Sequence, residues 1–242
     1  MTTGGSFMQN QQPSTLKEIR VHGTQDFPCA FYQTGTRIKG NMVKHHWHEE
    51  VELLYFSGGE FCLEINMERF EISEECFYFI NPGELHSISV EKNGGCVENA
   101  VVFHMDMLSS AYALDQIQTN LIQPVQNGSI QFPRCLRKNE PAFEPVRKSY
   151  EEIRNVFGGD SFRENYYDGE AVTDDITRQL FIKSALLRIL AVLSANNLFE
   201  VTEKNHDHRI ETIKTTLTYI QENYKETIYI RDLADLIGMN EQ

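Results

Sequence analysis

The chain lacks the features that define several large protein classes. Its five cysteines, Cys29, Cys62, Cys76, Cys96 and Cys135, are odd in number and stand singly, with no CxxC pair. That argues against a disulfide framework or a thiolate zinc site and points to a reducing cytoplasm. No apolar run reaches the roughly 20 residues of a spanning helix; the strongest candidate, SALLRILAVLSANNLF, is interrupted by Arg188. The N-terminus, MTTGGSFMQNQQPST, has neither a basic start nor an apolar stretch, so residues 1–16 read as a disordered tail and not as a secretory signal. No phosphate-binding glycine loop and no nucleophile with an adjacent base is discernible; Gly58-Gly59 and Gly94-Gly95 read as turns. Positive charge is scarce, with 22 Lys and Arg against 35 Asp and Glu, a net charge of −13. Spread evenly, that charge repels nucleic acid, so any DNA contact must be concentrated locally or lie outside this chain.

What is present is organised in three parts. The 242 residues suffice for one large domain or two modest ones. From about residue 16 to 105, short segments rich in Phe, Tyr, Ile and Val alternate with breaks at Gly58-Gly59, Asn81-Pro82-Gly83 and Asn93-Gly94-Gly95. That pattern predicts a β-sandwich or barrel. After about residue 140, FEPVRKSYEEIRNVF and DDITRQLFIKSALLRILAVLSANNLF have helical spacing. In the second of these, Ile176, Leu180, Leu187, Ala191 and Leu198 fall near one face, and Phe181, Ala185, Ile189, Val192 and Leu193 widen the stripe. Such a helix is either buried by its own domain or offers one face to a second copy. The polar EVTEKNHDH reads as a linker.

Chemistry concentrates in GNMVKHHWHEEVELLYFSGG, residues 40–59. The stretch reads as a strand, and alternation puts His46, His48 and Glu52 on one face and Trp47, Val51, Leu53 and Tyr55 on the other. Two imidazoles and a carboxylate on a common face can supply three ligands to a divalent ion, and His86, just past the Pro82-Gly83 turn, is a fourth donor from another strand. The same residues could instead form the polar floor of a small-molecule pocket, with Trp47, Tyr55, Phe56, Phe77 and Tyr78 packing or stacking nearby. A polar strand start facing solvent is the third reading.

At the C-terminal end, Ile210, Ile213, Leu217, Ile220 and Tyr224 recur at spacings of three and four, giving one amphipathic helix. A turn at KETIYI follows, then a short helix in RDLADLIG with small Ala234 four residues before Gly238. This is helix-turn-helix logic, in which a small side chain permits close crossing and glycine takes the turn conformation. Asn240 is placed to cap a third helix. Residues 206–242 hold four basic side chains (Arg209, Lys214, Lys225, Arg231) against seven acidic ones, a net of −3. This segment alone is not expected to bind DNA tightly.

Two resemblances follow from these residues. Gly40, His46, His48, Glu52 and Gly59 stand at the spacing of the first cupin motif, and Pro82-Gly83 with His86 resembles the second, although cupins commonly have one more residue between the Pro and the Gly. The C-terminal tract resembles the start of the DNA-binding domain of AraC-type transcription regulators, through Ile220 to Tyr224, then Ile228, Ile230, Leu233 and Ala234, then Gly238, Met239 and Asn240. Tyr229, where a small capping residue is usual, and Asn240 in place of Ser are departures. The resemblance implies an α+β chain. A cupin-like jelly-roll barrel would occupy residues 17–139, a helical dimerisation and linker region 140–203, and a partial helix-turn-helix 204–242, ending before the recognition helix, so that DNA-binding residues are not identifiable. It implies a cytoplasmic, homodimeric, ligand-responsive regulator and not an enzyme. Its small-molecule effector, a sugar or related metabolite, would meet His46, His48, Glu52, Trp47, Tyr55, Tyr78 and His86. Metal-binding cupins use the positions of His46, His48, Glu52 and His86 for an ion such as Zn, Ni, Fe or Mn. The alternative is a metal-dependent cupin enzyme, a dioxygenase or isomerase, built on those four residues.

Overall fold

The computed structural model describes residues 16–36, 38–93, 96–112, 114–158, 167–168, 175–202 and 208–238. The chain divides into two compact units, one of Arg20–Asn205 and one of His206–Gln242 with Met1–Ile19. The expected disordered tail lies almost wholly outside the described residues, as do Met239 and Asn240 with its proposed cap.

The larger unit is built from β1 (Cys29–Thr36), β2 (Gly40–His46), β3 (Val51–Phe56), β4 (Phe61–Ile65), β5 (Glu68–Ile72), β6 (Cys76–Ile80), β7 (His86–Val90) and β8 (Cys96–Phe103). After β8 come a short helix α1 (Gln123–Gln126), β9 (Ile130–Gln131), β10 (Cys135–Arg137), α2 (Phe143–Val156), β11 (Tyr167–Asp168), α3 (Ile176–Ala195) and β12 (Glu200–Val201). One sheet has the order β10-β6-β3-β8-β1-β11 and a second the order β2-β7-β4-β5. All pairings are antiparallel. The chain is thus α+β with an N-terminal cupin-like barrel.

Alternation along the strands separates two cores. Ala30, Tyr32, Leu54, Phe56, Tyr78, Ile80, Ala100 and Val102 join Phe61, Leu63, Ile65, Ile88 and Val90 between the two sheets. The odd-numbered partners Phe31, Val51, Leu53, Phe77, Phe79, Val101 and Phe103 form the outer face of the larger sheet and pack on α2 and α3. Strand β6 is therefore covered on both sides, and its sequence CFYFI is buried throughout. By contrast β5, at the edge of the smaller sheet, reads ERFEI and buries only Ile72 fully.

Helix α2 buries Phe143, Val146, Tyr150 and Ile153 on that outer face, each contributing roughly 1.5–3 kcal/mol relative to exposure. Helix α3 begins at Asp175, whose carboxylate accepts from Thr177 N (2.9 Å) and Arg178 N (3.2 Å), a cap worth about 1 kcal/mol. Its home face is Ile182, Ala185, Leu186, Ile189, Leu190 and Leu193. Of the first stripe read from the sequence, Ile176 and Leu180 (71% and 61% exposed), Leu187 and Ala191 point outward while Leu198 packs against the core; of the second, Ala185, Ile189 and Leu193 are buried but Phe181 is 59% exposed. The segment read as a linker opens with β12, which pairs with β9. Residues 203–207 lie outside the described residues.

In the smaller unit, α4 (His208–Asn223) and α5 (Ile230–Leu236) form a helical pair. Ala234 is its buried residue on α5, and Gly238 ends that helix at φ 65°, as the small-residue and glycine spacing anticipates. Tyr229 occupies the N-cap of α5, where the Asp232 carboxylate accepts from its backbone N–H at 3.3 Å. Tyr224, expected on the apolar stripe of α4, lies past the helix end and is exposed. Among the described residues no helix is long and apolar enough to cross a membrane.

Candidate functional site

The stretch 40–59 is not one strand. β2 ends at His46, β3 begins at Val51, and the chain turns between them, so parity cannot be counted from His46 to Glu52. The same residues converge nonetheless. His46 stands opposite His86 in the β2–β7 pairing, while Glu52 enters from β3 on the face that carries Leu54 and Phe56. His48 reaches the cluster from the turn. Gly83 N donates to His48 O at 2.7 Å, binding that turn to the Pro82-Gly83 corner, where Gly83 takes φ 79° as the third residue of a Pro-Gly turn requires.

One donor atom from each of His46, His48, Glu52 and His86 lies within 4.8 Å of all the others. His48, Glu52 and His86 are buried, and His46 is partly exposed. His86 Nε2 is 3.0 Å and His48 Nε2 3.3 Å from the same Glu52 oxygen, Oε2. All three rings are held by the other nitrogen. His46 Nδ1 meets Lys44 O at 2.9 Å, His48 Nδ1 meets Glu50 O at 3.2 Å, and His86 Nδ1 meets Glu84 O at 2.9 Å. A carbonyl only accepts, so these contacts put a proton on each Nδ1 and turn each Nε2 toward the shared space.

Although His86 Nε2 lies 3.0 Å from Glu52 Oε2, this buried nitrogen has no hydrogen-bond partner. Burial alone would push the Glu52 carboxyl up, but the adjoining His48 and His86 rings outweigh it and hold it well below the usual carboxylate range. Ligand atoms at about 2.0–2.2 Å from an ion stand about 3.0–4.2 Å apart, close to the spread seen here. Three imidazoles with fixed tautomers, one ionised carboxylate and an unsatisfied buried nitrogen fit a divalent transition metal.

The support beneath the cluster is polar and closed. Arg134 donates to both oxygens of Glu84, at 2.7 and 2.5 Å. Glu84 also accepts from Asn81 N at 2.8 Å and Asn66 Nδ2 at 3.2 Å. Phe132 N donates to Asn81 Oδ1 at 2.8 Å. The Pro82-Gly83 corner and His86 are thereby fixed to the barrel wall.

Other residues expected at the site lie elsewhere. Tyr55, three along from Glu52 and so of opposite parity, turns to the helical layer. It stacks near Phe77 and Tyr150, and its hydroxyl donates to Glu75 Oε1 at 2.6 Å. Tyr78 does face the space between the sheets, but it pairs with Leu54, one step along that face from the Glu52–Ile80 pair. Trp47 is half-buried between His46 and His48 in the chain.

Two buried ionisable residues of the barrel escape sequence reasoning, His22 beside the cluster and Glu98, which stands opposite Phe56 and so about 13 Å along the sheet from the Glu52 position. The His22 ring packs edge-on to His48 with centroids 5.2 Å apart, and its Nδ1 is 2.8 Å from the Tyr32 hydroxyl. A lone histidine in VHGTQDF carries no spacing signal. Gly23 alone marks the spot, since a Cβ there would sit 2.5 Å from the Phe27 and Cys29 carbonyl oxygens. Glu98 lies on the inner-facing parity of β8 and is 2% exposed, with Oε1 lacking a hydrogen-bond partner. Burial, and secondly the Glu52 charge, push its carboxyl well above the usual range.

The chain is 26% identical over 227 residues to an uncharacterized HTH-type transcriptional regulator, YdeC, of Bacillus subtilis (strain 168), a match covering 90% of this chain and 69% of that protein. Among solved structures it is similar to a predicted oxalate decarboxylase from Thermotoga maritima (25% identity, TM-score 0.29, 31% of this chain and 64% of that one). It is also similar to a cupin protein from Bacteroides fragilis (16% identity, TM-score 0.29, 36% of this chain and 70% of that one). The profile of the AraC-like ligand-binding domain matches residues 33–155, just over half of the chain, and the chain belongs to that family.

Proposed function

We propose that this chain is the sensing and dimerising part of an AraC-type transcription regulator, and that its barrel reads a divalent metal ion, or a small molecule held through one, at His46, His48, Glu52 and His86. The observation that carries the reading is the common anchoring of three rings by Nδ1 to backbone carbonyls, with the Nε2 of His48 and of His86 within 3.3 Å of one Glu52 oxygen and a His46 donor atom within 4.8 Å of the set. When bound, the ion supplies a Lewis-acidic centre for oxygen ligands. The chain's own residues hold the rings in one tautomer, keep Glu52 ionised and exclude bulk water from its buried side. A sugar or related metabolite, rich in hydroxyl oxygens, suits such a centre with His22, Tyr32 and Trp47 nearby.

Ligand binding controls transcription only through its different affinity for two arrangements of the molecule. The outward stripe of α3, Ile176, Leu180 and Leu187, offers the surface on which two copies associate. The α4–α5 pair then belongs to the DNA-binding domain that the full-length protein repositions in the cytoplasm. In the metal-dependent enzyme reading the same four residues would hold a catalytic ion.

Native mass spectrometry of the purified chain separates these readings. The regulator reading expects a dimer that retains an ion or a small molecule and leaves the molecule unchanged on incubation. Chemical conversion of the retained molecule, lost in His48→Ala, would instead establish the enzyme. A monomer that takes up neither ion nor small molecule would contradict both.

A further inference from the structure

The barrel carries a second chemical cluster at its other end. Cys76 and Ile80 are the two ends of β6; Ile80 pairs with Glu52 and Cys76 with Phe56, so the cysteine stands about 13 Å along the sheet from the Glu52 position. In the β6–β10 pairing Cys135 lies opposite Tyr78 and Arg137 opposite Cys76, which makes the two cysteines diagonal neighbours. Both belong to the inner face, Cys76 in its core and Cys135 packed against it. The Cys76 and Cys135 thiols and the Tyr78 hydroxyl stand near enough to shift one another's titration. A cleft of about 180 Å³ lined by Cys76, Cys135, Tyr78, Arg137 and Glu75 opens on the pair. Cysteines that the sequence scatters singly are thus joined by strand pairing.

We infer that Cys76 and Cys135 form a peroxide-reactive dithiol, a reversible oxidation site separate from the histidine cluster. The two thiols have different roles. Cys135 is the more exposed, and three groups, Cys76 S–H, Tyr78 O–H and the Arg137 guanidinium, stabilise its thiolate. The adjoining Cys76 thiol, opposed by burial and assisted by Tyr78 and Arg137, brings Cys135 down to about 7. The same proximity, together with burial, pushes Cys76 up. A thiolate near neutrality is the attacking form.

The Cys135 thiolate attacks one oxygen of hydrogen peroxide, the O–O bond breaks, and the departing hydroxide leaves as water after taking a proton. Cys135 is then a sulfenic acid. Cys76 sulfur attacks that sulfur, the S–O bond breaks, and the Cys76 proton leaves with the hydroxide as a second water. The two sulfurs together lose two electrons and the peroxide gains two. Diagonal neighbours in an antiparallel pair are about 7–8 Å apart at Cα, beyond the roughly 4.4–6.8 Å of a disulfide. Closure therefore requires β10 to shift by about 1 Å. β10 is a three-residue edge strand that leads into α2, so oxidation moves a segment joined to the helical layer.

The full chain, treated with hydrogen peroxide, denatured, alkylated and mapped by peptide mass spectrometry, tests this. A Cys76–Cys135 linked peptide should form at least about tenfold faster than any oxidation at buried Cys29 or Cys62, and dithiothreitol should remove it. In Cys76→Ser, oxidation should halt at a sulfenic acid on Cys135 that dimedone captures. The inference is overturned if no linked peptide forms in the wild-type chain, if Cys62 reacts as fast as Cys135, or if Cys135→Ser leaves Cys76 oxidising at the wild-type rate.

Discussion

Replacing Glu98 by glutamine should flatten the pH dependence of stability. The Glu98 carboxyl is 2% exposed, its Oε1 has no hydrogen-bond partner, and burial followed by the Glu52 charge raises its folded-state pKa well above the ordinary value. The stability it contributes is therefore fully present below its unfolded value, about 4.3, and is lost as pH rises through the folded value. Between those limits folding takes up one proton, so stability falls by about 1.4 kcal/mol per pH unit from this group alone. A glutamine side chain in its place has no such proton. Its amide brings N–H donors into a buried place, which costs roughly 1–3 kcal/mol at every pH, so the slope and not the offset is diagnostic. Urea unfolding followed by circular dichroism at several pH values should give a wild-type curve that falls away from that of Glu98→Gln above about pH 4.3. Parallel curves would refute the reasoning, because they would mean that Glu98 ionises as freely in the folded chain as in the unfolded one.

Three further outcomes are expected. The Tyr150 hydroxyl is buried without a hydrogen-bond partner while its ring packs among Phe31, Tyr55 and Phe77; Tyr150→Phe should be neutral or stabilising by up to about 1 kcal/mol, and Tyr150→Ala should cost about 3–5 kcal/mol in denaturant unfolding. Arg134→Met leaves Glu84 buried without its bidentate partner, so thermal unfolding should show a loss of about 3–5 kcal/mol, and because Glu84 O anchors His86, metal affinity measured by calorimetry should drop about 10–100-fold. Leu180→Lys with Leu187→Lys places charge on the outward stripe of α3; light scattering should report monomers while the circular dichroism spectrum is unchanged.

Much of this was legible in the sequence because the strands obey their two-residue period. Phe, Tyr and Val runs broken by Gly58-Gly59 and Asn81-Pro82-Gly83 correspond to real strand ends, and His46, His48, Glu52 and His86 do converge. The route to that convergence was not legible. Counting through residues 47–50 treats a turn as a strand, so the agreement for His46 and His48 owes nothing to parity. Within β3 itself parity holds, and it is what turns Tyr55 away from the site. His22 joins through a turn, and Cys135 reaches Cys76 through strand pairing across more than fifty residues. Neither leaves a local pattern. The apolar character of α3 was visible, but neither stripe matched its home face: Ile182, Leu186 and Leu190 are buried though in neither stripe, and Phe181 is exposed.

The most direct measurement is a calorimetric titration of the metal-stripped chain with Zn(II), Ni(II), Mn(II) and, under anaerobic conditions, Fe(II), repeated on His86→Ala and on Tyr55→Phe. Saturation at one ion per chain is predicted for at least one of these metals, abolished in His86→Ala and unchanged in Tyr55→Phe. Absence of binding in the wild-type chain, or binding that survives the loss of His86, would contradict a metal-reading barrel.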